Sequence, residues 1–145
     1  MHIMLTRPIN DSRELILRFK SLGHNVSHLP VINIKKIDLE NINFSKYSGI
    51  IFTSANAVKF LDVKSIKKSI YCFCVGSATE AQALKKGFQN VYAAEGNVEN
   101  LKEIILQYFN KNNGKLLYVS GEIVASNLDK QLIDLDYQVD RAINY

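Results

Sequence analysis

Four short stretches hold the residues best equipped for chemistry: Thr53-Ser54-Ala55-Asn56, Gly76-Ser77-Ala78-Thr79, Glu95-Gly96-Asn97 and Ser120-Gly121-Glu122. Each sets neutral hydrogen-bonding side chains among small residues. Glycine lets a ligand approach the backbone closely, and Ser, Thr and Asn donate hydrogen bonds without the cost of burying a charge. Turns of this kind hold carboxylates or phosphates through neutral donors, with lysines supplying only a background field. Other chemistries lack their residues. Gly76-Ser77-Ala78-Thr79 is not the GxGxxG of a dinucleotide site, and no lysine follows a glycine turn as in a P-loop. No acidic cluster stands at a strand end, there is no nucleophile elbow, and His2, His24 and His28 offer no Ser/His/Asp set. An enzyme made from these turns works by positioning and amide electrostatics more than by an acid/base pair.

Such turns need strands that end at them. Gly49 to Thr53 is an apolar run without charge, as expected of a strand buried on both faces of a parallel sheet. Ser54 then places a hydroxyl where a helix would begin, with Ala57, Val58 and Leu61 at helical spacing. Free amides therefore collect at the carboxyl end of a central strand, where open α/β sheets bind ligands and helix starts favour anions. A plainer alternative, in which Ser54 only caps and Asn56 only closes a turn, fits the same residues. Further strands are predicted over 70–75, 90–93 and 115–119. Helices are predicted over 77–86, over 97–110 with Leu101, Ile104, Ile105, Tyr108 and Phe109 inward, and over 124–135; an extended segment ends the chain at 138–145. Together these predict a doubly wound, flavodoxin-like α/β domain with about five parallel strands.

The first thirty residues read as a separate βαβ unit. A strand from His2 to Thr6 is ended by Arg7-Pro8, and Asn10-Asp11-Ser12 supplies caps for a helix to about Leu22. That helix carries Leu15, Ile16, Phe19 and Leu22 on one face, and Gly23 stops it before a second strand from Val26 to Leu29. The two strands are expected to be parallel. The alternating stretch Pro30 to Ile37 reads as a linker, and Asp38 to Ser48 as a polar loop. A two-stranded parallel sheet is not stable alone, so this unit is expected to be mobile or to be covered by a second copy of the chain.

Length and composition set the outer limits. At 145 residues the chain suffices for one domain with a real core and is short of two complete ones. Its 47% hydrophobic and 22% charged residues are ordinary for a globular protein. No apolar run approaches the roughly 20 residues of a bilayer span, and no basic, then apolar, leader opens the chain. The reading is a cytoplasmic protein with no membrane partner. Eighteen basic against fourteen acidic residues give +4, but the lysines are scattered and no Arg/aromatic alternation points to nucleic acid. That excess suits a polyanionic small molecule, although a merely solvated surface accounts for it equally. Cys72 and Cys74, two apart, are neither a CxxC motif nor half a zinc site, so buried reduced thiols and no metal are expected.

Several of these stretches, taken in order, resemble one family. Leu5-Thr6-Arg7-Pro8 with Asp11-Ser12 and Leu22-Gly23 is similar to the opening of uroporphyrinogen-III synthase, and Ile51-Phe52-Thr53-Ser54-Ala55-Asn56-Ala57-Val58 to its most recognisable central motif. Cys74-Val75-Gly76-Ser77-Ala78-Thr79 with Ala83-Leu84 and Gly87-Phe88 resembles its second, and Gly96-Asn97, Tyr118-Val119-Ser120-Gly121 and Ile143-Asn144-Tyr145 follow in the family's order. The resemblance implies an enzyme of tetrapyrrole and haem synthesis. Such an enzyme closes linear hydroxymethylbilane to uroporphyrinogen III with loss of water and inversion of the last pyrrole ring, and uses no cofactor. It also implies two similar α/β domains joined by a two-stranded ribbon around a cleft. On this chain, residues 1–29 would begin one domain, 30–37 would be one linker strand, 38–140 the inserted domain and 141–145 the returning strand.

Carried over residue by residue, the resemblance puts Thr53, Ser54, Asn56, Gly76, Ser77, Thr79 and Gly96 on the cleft rim. Arg7, Asn97 and Gly121 join them as candidate substrate-binding residues. Tyr145 matches a cleft-facing tyrosine that is a candidate for assisting loss of the hydroxyl; a phenol packing at the ribbon is the alternative. Two departures stand out. Where relatives often carry arginine beside the fourth turn, this chain has Gly121-Glu122. It also ends at Tyr145, where members of the family continue for about another domain's worth of residues that would wall the cleft. The expectation is thus a synthase or the N-terminal part of one, its activity at this length left open. A non-catalytic tetrapyrrole- or anion-binding module, or a decayed remnant, is the alternative.

Overall fold

Ile50, Ile51 and Phe52 are each no more than 1% exposed. Since neighbouring side chains of a strand point to opposite faces, a strand buried at every position must be covered on both. It is: Ile50 and Phe52 belong to one apolar core, Ile51 to another. The computed structural model describes all 145 residues as two units, Met1–Lys35 and Lys36–Tyr145.

In the second unit, β3 (Tyr47–Phe52), β4 (Tyr71–Val75), β5 (Asn90–Ala94), β6 (Lys115–Ser120) and β7 (Val139–Ile143) form one sheet in the order β5-β4-β3-β6-β7, every neighbouring pair parallel. Ala57 and Val58 of α2 (Ala55–Phe60) and Ala83 of α3 (Ser77–Lys85) pack into the core on one face. Leu101 and Ile105 of α4 (Val98–Tyr108) and Leu128 and Leu132 of α5 (Leu128–Asp134) pack into the core on the other. The domain is doubly wound, as its alternation of elements predicts. Counted within this unit the strand order is 3-2-1-4-5, where flavodoxin itself runs 2-1-3-4-5. The strand order reverses between β3 and β6, which is where such sheets open a crevice.

Three details differ from the sequence reading. The last helix begins at Leu128 rather than Val124: β-branched Ile123 and Val124 favour extended backbone, Ile123 is 93% exposed, and Asn127 takes the N-cap position. Tyr108, expected inward, is 46% exposed and lies against Tyr92 with ring centroids 4.7 Å apart. Residues 141–145, read as a returning linker strand, include the second half of β7, the sheet's edge. Asp140 and Arg141 disguise that strand in the sequence, because edge strands tolerate charge. Outside the sheet, the backbone N–H of Ile37 bonds to the carbonyl of Asn144 (2.8 Å).

The first unit pairs β1 (His2–Leu5) in parallel with β2 (Asn25–His28) across α1 (Ile9–Ser21). The helix starts one residue before the expected caps. Pro8 occupies the N-cap position, and Ser12 instead donates its hydroxyl to the carbonyl of Arg7 (3.2 Å). Leu15 and Leu22 are exposed, and no apolar side chain of residues 1–35 is buried. No helix of either unit is long and apolar enough to cross a membrane.

Candidate functional site

Because β5, β4, β3 and β6 are parallel neighbours, the four neutral turns follow one another along the carboxyl edge of the sheet. At the first, Ser54 Oγ accepts from the N–H of Asn56 (3.2 Å), so the serine does cap α2. Thr53 is drawn to its neighbour strand instead: its Oγ1 lies 3.0 Å from Tyr118 Oη. Tyr118 is 1% exposed, and burial holds its phenol above the usual range against the opposing pull of the Thr53 hydrogen bond and the Arg141 charge. This half-buried hydroxyl pair joins the end of β3 to β6, the two strands at the switch point.

At the second turn Gly76 sits at φ +83, a conformation costly to other residues, and begins α3 without a side-chain cap. The first amide of this turn to find a helical carbonyl is Glu80, bonded to Gly76 (3.1 Å). The N–H groups of Ser77, Ala78 and Thr79 thus stand at the helix start without a side-chain acceptor, where an anion is favoured. Ser77 is exposed and Thr79 is 3% exposed. At the third turn Asn97 Oδ1 accepts from the N–H of Asn100 (3.0 Å), and Asn100 Nδ2 donates back to the carbonyl of Glu95 (2.7 Å), a reciprocal tie across Gly96. Asn97 is therefore a cap with its side chain already engaged.

The fourth turn is held from two sides. A Cβ placed on Gly121 would come within 2.8 and 2.9 Å of the ring carbons of Tyr145, so the phenol lies directly on this backbone. The ring also meets Phe60 at 6.2 Å between centroids, and Tyr145's carbonyl accepts from the N–H of Glu122 (2.9 Å). From β7, Arg141 donates Nε to Ser120 Oγ (2.8 Å) and Nη2 to the carbonyls of Gly121 (2.8 Å) and Glu122 (3.0 Å). Asn144, 1% exposed, donates its N–H to Ser120's carbonyl (3.0 Å) and its Nδ2 to the carbonyl of Ala57 (2.8 Å), tying the turn to α2.

The structure thus gathers Thr53, Ser54, Asn56, Gly76, Ser77, Thr79, Gly96, Asn97, Gly121 and Tyr145 at the strand ends of one sheet. Arg7 stands at the end of β1 in the first unit, its carbonyl accepting from His28 Nε2 (2.7 Å). Sequence reasoning assigned no role to Tyr118, Arg141 or Asn144. The first two face each other across β6 and β7, a pairing visible only in the register. Asn144 reads as an unremarkable polar residue between Ile143 and Tyr145 until its two bonds are seen. Chemically, the rim presents amides, hydroxyls and the Arg141 guanidinium, with the Tyr145 phenol beside them.

Comparisons with known proteins agree on one family. The family model of uroporphyrinogen-III synthase HemD matches residues 13–145. No curated protein sequence matches the chain. Among solved structures it resembles uroporphyrinogen-III synthetase from Helicobacter pylori, at TM-score 0.63 and 17% identity, covering 99% of this chain and 59% of that one. It also resembles uroporphyrinogen III synthase of Thermus thermophilus, at TM-score 0.53 and 14% identity, covering 100% of this chain and 62% of that one. At these identities the likeness is one of fold, and the chain spans about three fifths of the length of each.

Proposed function

The chain belongs to the uroporphyrinogen-III synthase family, and from that membership we propose that it takes part in tetrapyrrole synthesis by converting hydroxymethylbilane to uroporphyrinogen III. The observation that carries this reading, beside the family, is the alignment of neutral turns at the carboxyl edge of one sheet. A linear tetrapyrrole bearing eight carboxylates needs many modest contacts. Uncapped amides at the start of α3 and the hydroxyls of Ser54 and Ser77 suit that need without fixing counter-charges in place.

In this reading Gly76, Gly96 and Gly121 admit the chain of pyrroles close to the backbone, and Thr53, Asn56, Thr79 and Asn97 shape the turns that present it. Closure begins with departure of the substrate hydroxyl, which leaves as water once it gains a proton, its carbon becoming the electrophile for the last ring. The Tyr145 phenol, propped on Gly121 and Phe60, is the proton or hydrogen-bond donor at that step. Inversion requires the last ring to react at its already substituted α-carbon, so that its older bond to the chain breaks and re-forms at the free α-carbon, which loses its proton; holding the substrate folded on the rim favours that position.

Freshly prepared hydroxymethylbilane incubated with the protein tests the reading. The III isomer should dominate, whereas the spontaneously formed I isomer alone would refute turnover. A second reading, a tetrapyrrole-binding module without turnover, is favoured by the packing of Tyr145, whose ring lies on Gly121 and against Phe60 as a purely structural phenol would. Binding of uroporphyrinogen without any III isomer would select it.

A further inference from the structure

Arg141 is the unusual member of the rim. Its guanidinium makes three hydrogen bonds, all to neutral oxygens of the fourth turn: Ser120 Oγ through Nε, and the carbonyls of Gly121 and Glu122 through Nη2. Those bonds use one face of the fork. The remaining nitrogen, Nη1, with two N–H groups, makes no hydrogen bond within the protein, and no carboxylate lies within ion-pair distance of the side chain. A guanidinium cannot shed its charge, and proteins ordinarily pair it when it is partly withdrawn from water. Here it is half-buried, tethered, and left unneutralised.

We propose that Arg141 binds a carboxylate of the substrate at the fourth turn, an assignment that rests on the polycarboxylate reading above and adds a residue to it. The turn's own sequence, Ser120-Gly121-Glu122, holds no cation, and the structure delivers one to it from the neighbouring strand. Arg141 lies opposite Tyr118 in the register, on the face that carries α4 and α5, while Tyr145 packs with the core that carries α2 and α3. The two side chains therefore grip Ser120-Gly121-Glu122 from opposite faces. Three tethers fix the plane of the fork before any ligand arrives, so little side-chain freedom remains to be lost when a carboxylate meets Nη1. No lysine or arginine hydrogen-bonds any of the other three turns, so the fourth alone carries a full charge within its own hydrogen-bond network.

The test is calorimetric titration of the 145-residue protein with uroporphyrin III, the stable oxidised form of uroporphyrinogen III. Wild type is compared with Arg141→Gln and Arg141→Lys at several salt concentrations. Arg141→Gln should bind about tenfold or more weakly, and the gap should narrow as salt rises, because a lost charge contact is screened while a lost brace is not. Arg141→Lys, which keeps the charge and loses the fork, should fall between the two. Equal affinity of Arg141→Gln and wild type, or a gap unchanged by salt, overturns the assignment. So does a wild-type chain that does not bind uroporphyrin III. The outcomes separate this claim from the synthase reading: turnover with unchanged Arg141→Gln binding removes Arg141 alone, and Arg141-dependent binding without turnover removes the synthase reading alone.

Discussion

At the scale of single residues, the contact between Tyr145 and Gly121 converts a sequence motif into a geometric constraint. The glycine's backbone is not in the left-handed region, so what it supplies is room: any side chain there would meet the phenol at under 3 Å. Gly121→Ala should therefore leave the sheet intact and tilt the ring. Formation of the III isomer is expected to drop with little change in melting temperature. Tyr145→Phe keeps the packing on Gly121 and Phe60 and removes only the hydroxyl, so its rate should fall by about 100-fold if the phenol serves as acid, with stability preserved. A rate within about twofold of wild type would reduce Tyr145 to a packing residue. Asn144 shows the opposite balance, since its work is structural. Asn144→Ala abandons the bond from Nδ2 to the carbonyl of Ala57 in a site 1% exposed, and should cost about 1 to 3 kcal/mol in urea unfolding. Its Oδ1 is buried and without a partner, which is why Asn144→Asp, placing an unpaired charge there, should be worse than alanine.

At the scale of elements, the edge strand β7 is the one the sequence least reveals and the site most needs, because it carries Arg141 and leads into Asn144 and Tyr145. It is pinned at its amino end by a small polar cluster: Tyr47 Oη donates to Asp140 Oδ2 (2.7 Å), and Lys115 Nζ lies 2.8 Å from the same oxygen. Lys115 first, then Tyr47, hold the Asp140 carboxyl below its ordinary range, while burial and then Asp140 push the Tyr47 phenol up to about 12. The two shifts act at opposite ends of the pH scale. Asp140's depressed value adds stability that is present above the carboxylate's unfolded value and lost as pH falls through the folded one. Tyr47's raised value adds stability that is full below the phenol's ordinary value of 10.0 and lost as pH rises toward about 12. Urea midpoints measured against pH should accordingly decline on the alkaline side between those values, and Tyr47→Phe should flatten that decline. An unchanged alkaline limb in the variant would show that the cluster does not pin the strand. The uneven legibility of the elements has the same physical root. Strands β3, β4 and β6 announce themselves because both faces are buried along their middle and the positions there must be apolar. Strand β7 has an open edge that admits Asp140 and Arg141, and its register with β6, which sets Arg141 across from Tyr118, is a long-range fact that no local pattern contains. The turns were legible because glycine and small polar residues have few other uses at strand ends. What those turns touch was not, and the start of α5 was misjudged because β-branched Ile123 and Val124 fit an apolar helical period while preferring extended backbone.

At the scale of the whole molecule, the two units differ in what could hold them folded. In the second, Ile50, Ile51 and Phe52 are sealed between two cores and their strand is paired on both sides, so their amides should exchange only when the whole unit opens. In the first, four paired positions join β1 to β2, Met4 is 61% exposed, Leu17 65% and Leu22 64%, and no apolar side chain is buried against the hydrophobic driving force that sustains other parallel sheets. Local opening there disrupts few contacts and exposes little that water does not already reach. Hydrogen exchange followed residue by residue in dilute protein should find Ile3 to Leu5 exchanging orders of magnitude faster than Ile50 to Phe52. Repeating the measurement at rising protein concentration separates two causes of any protection. If a second copy of the chain covers the apolar side chains, protection of Ile3 to Leu5 grows with concentration while that of Ile50 to Phe52 stays constant. Equal protection of both strands in a strict monomer would mean that something other than buried apolar area holds β1 in place, and the account of the first unit given by its exposure would then be wrong.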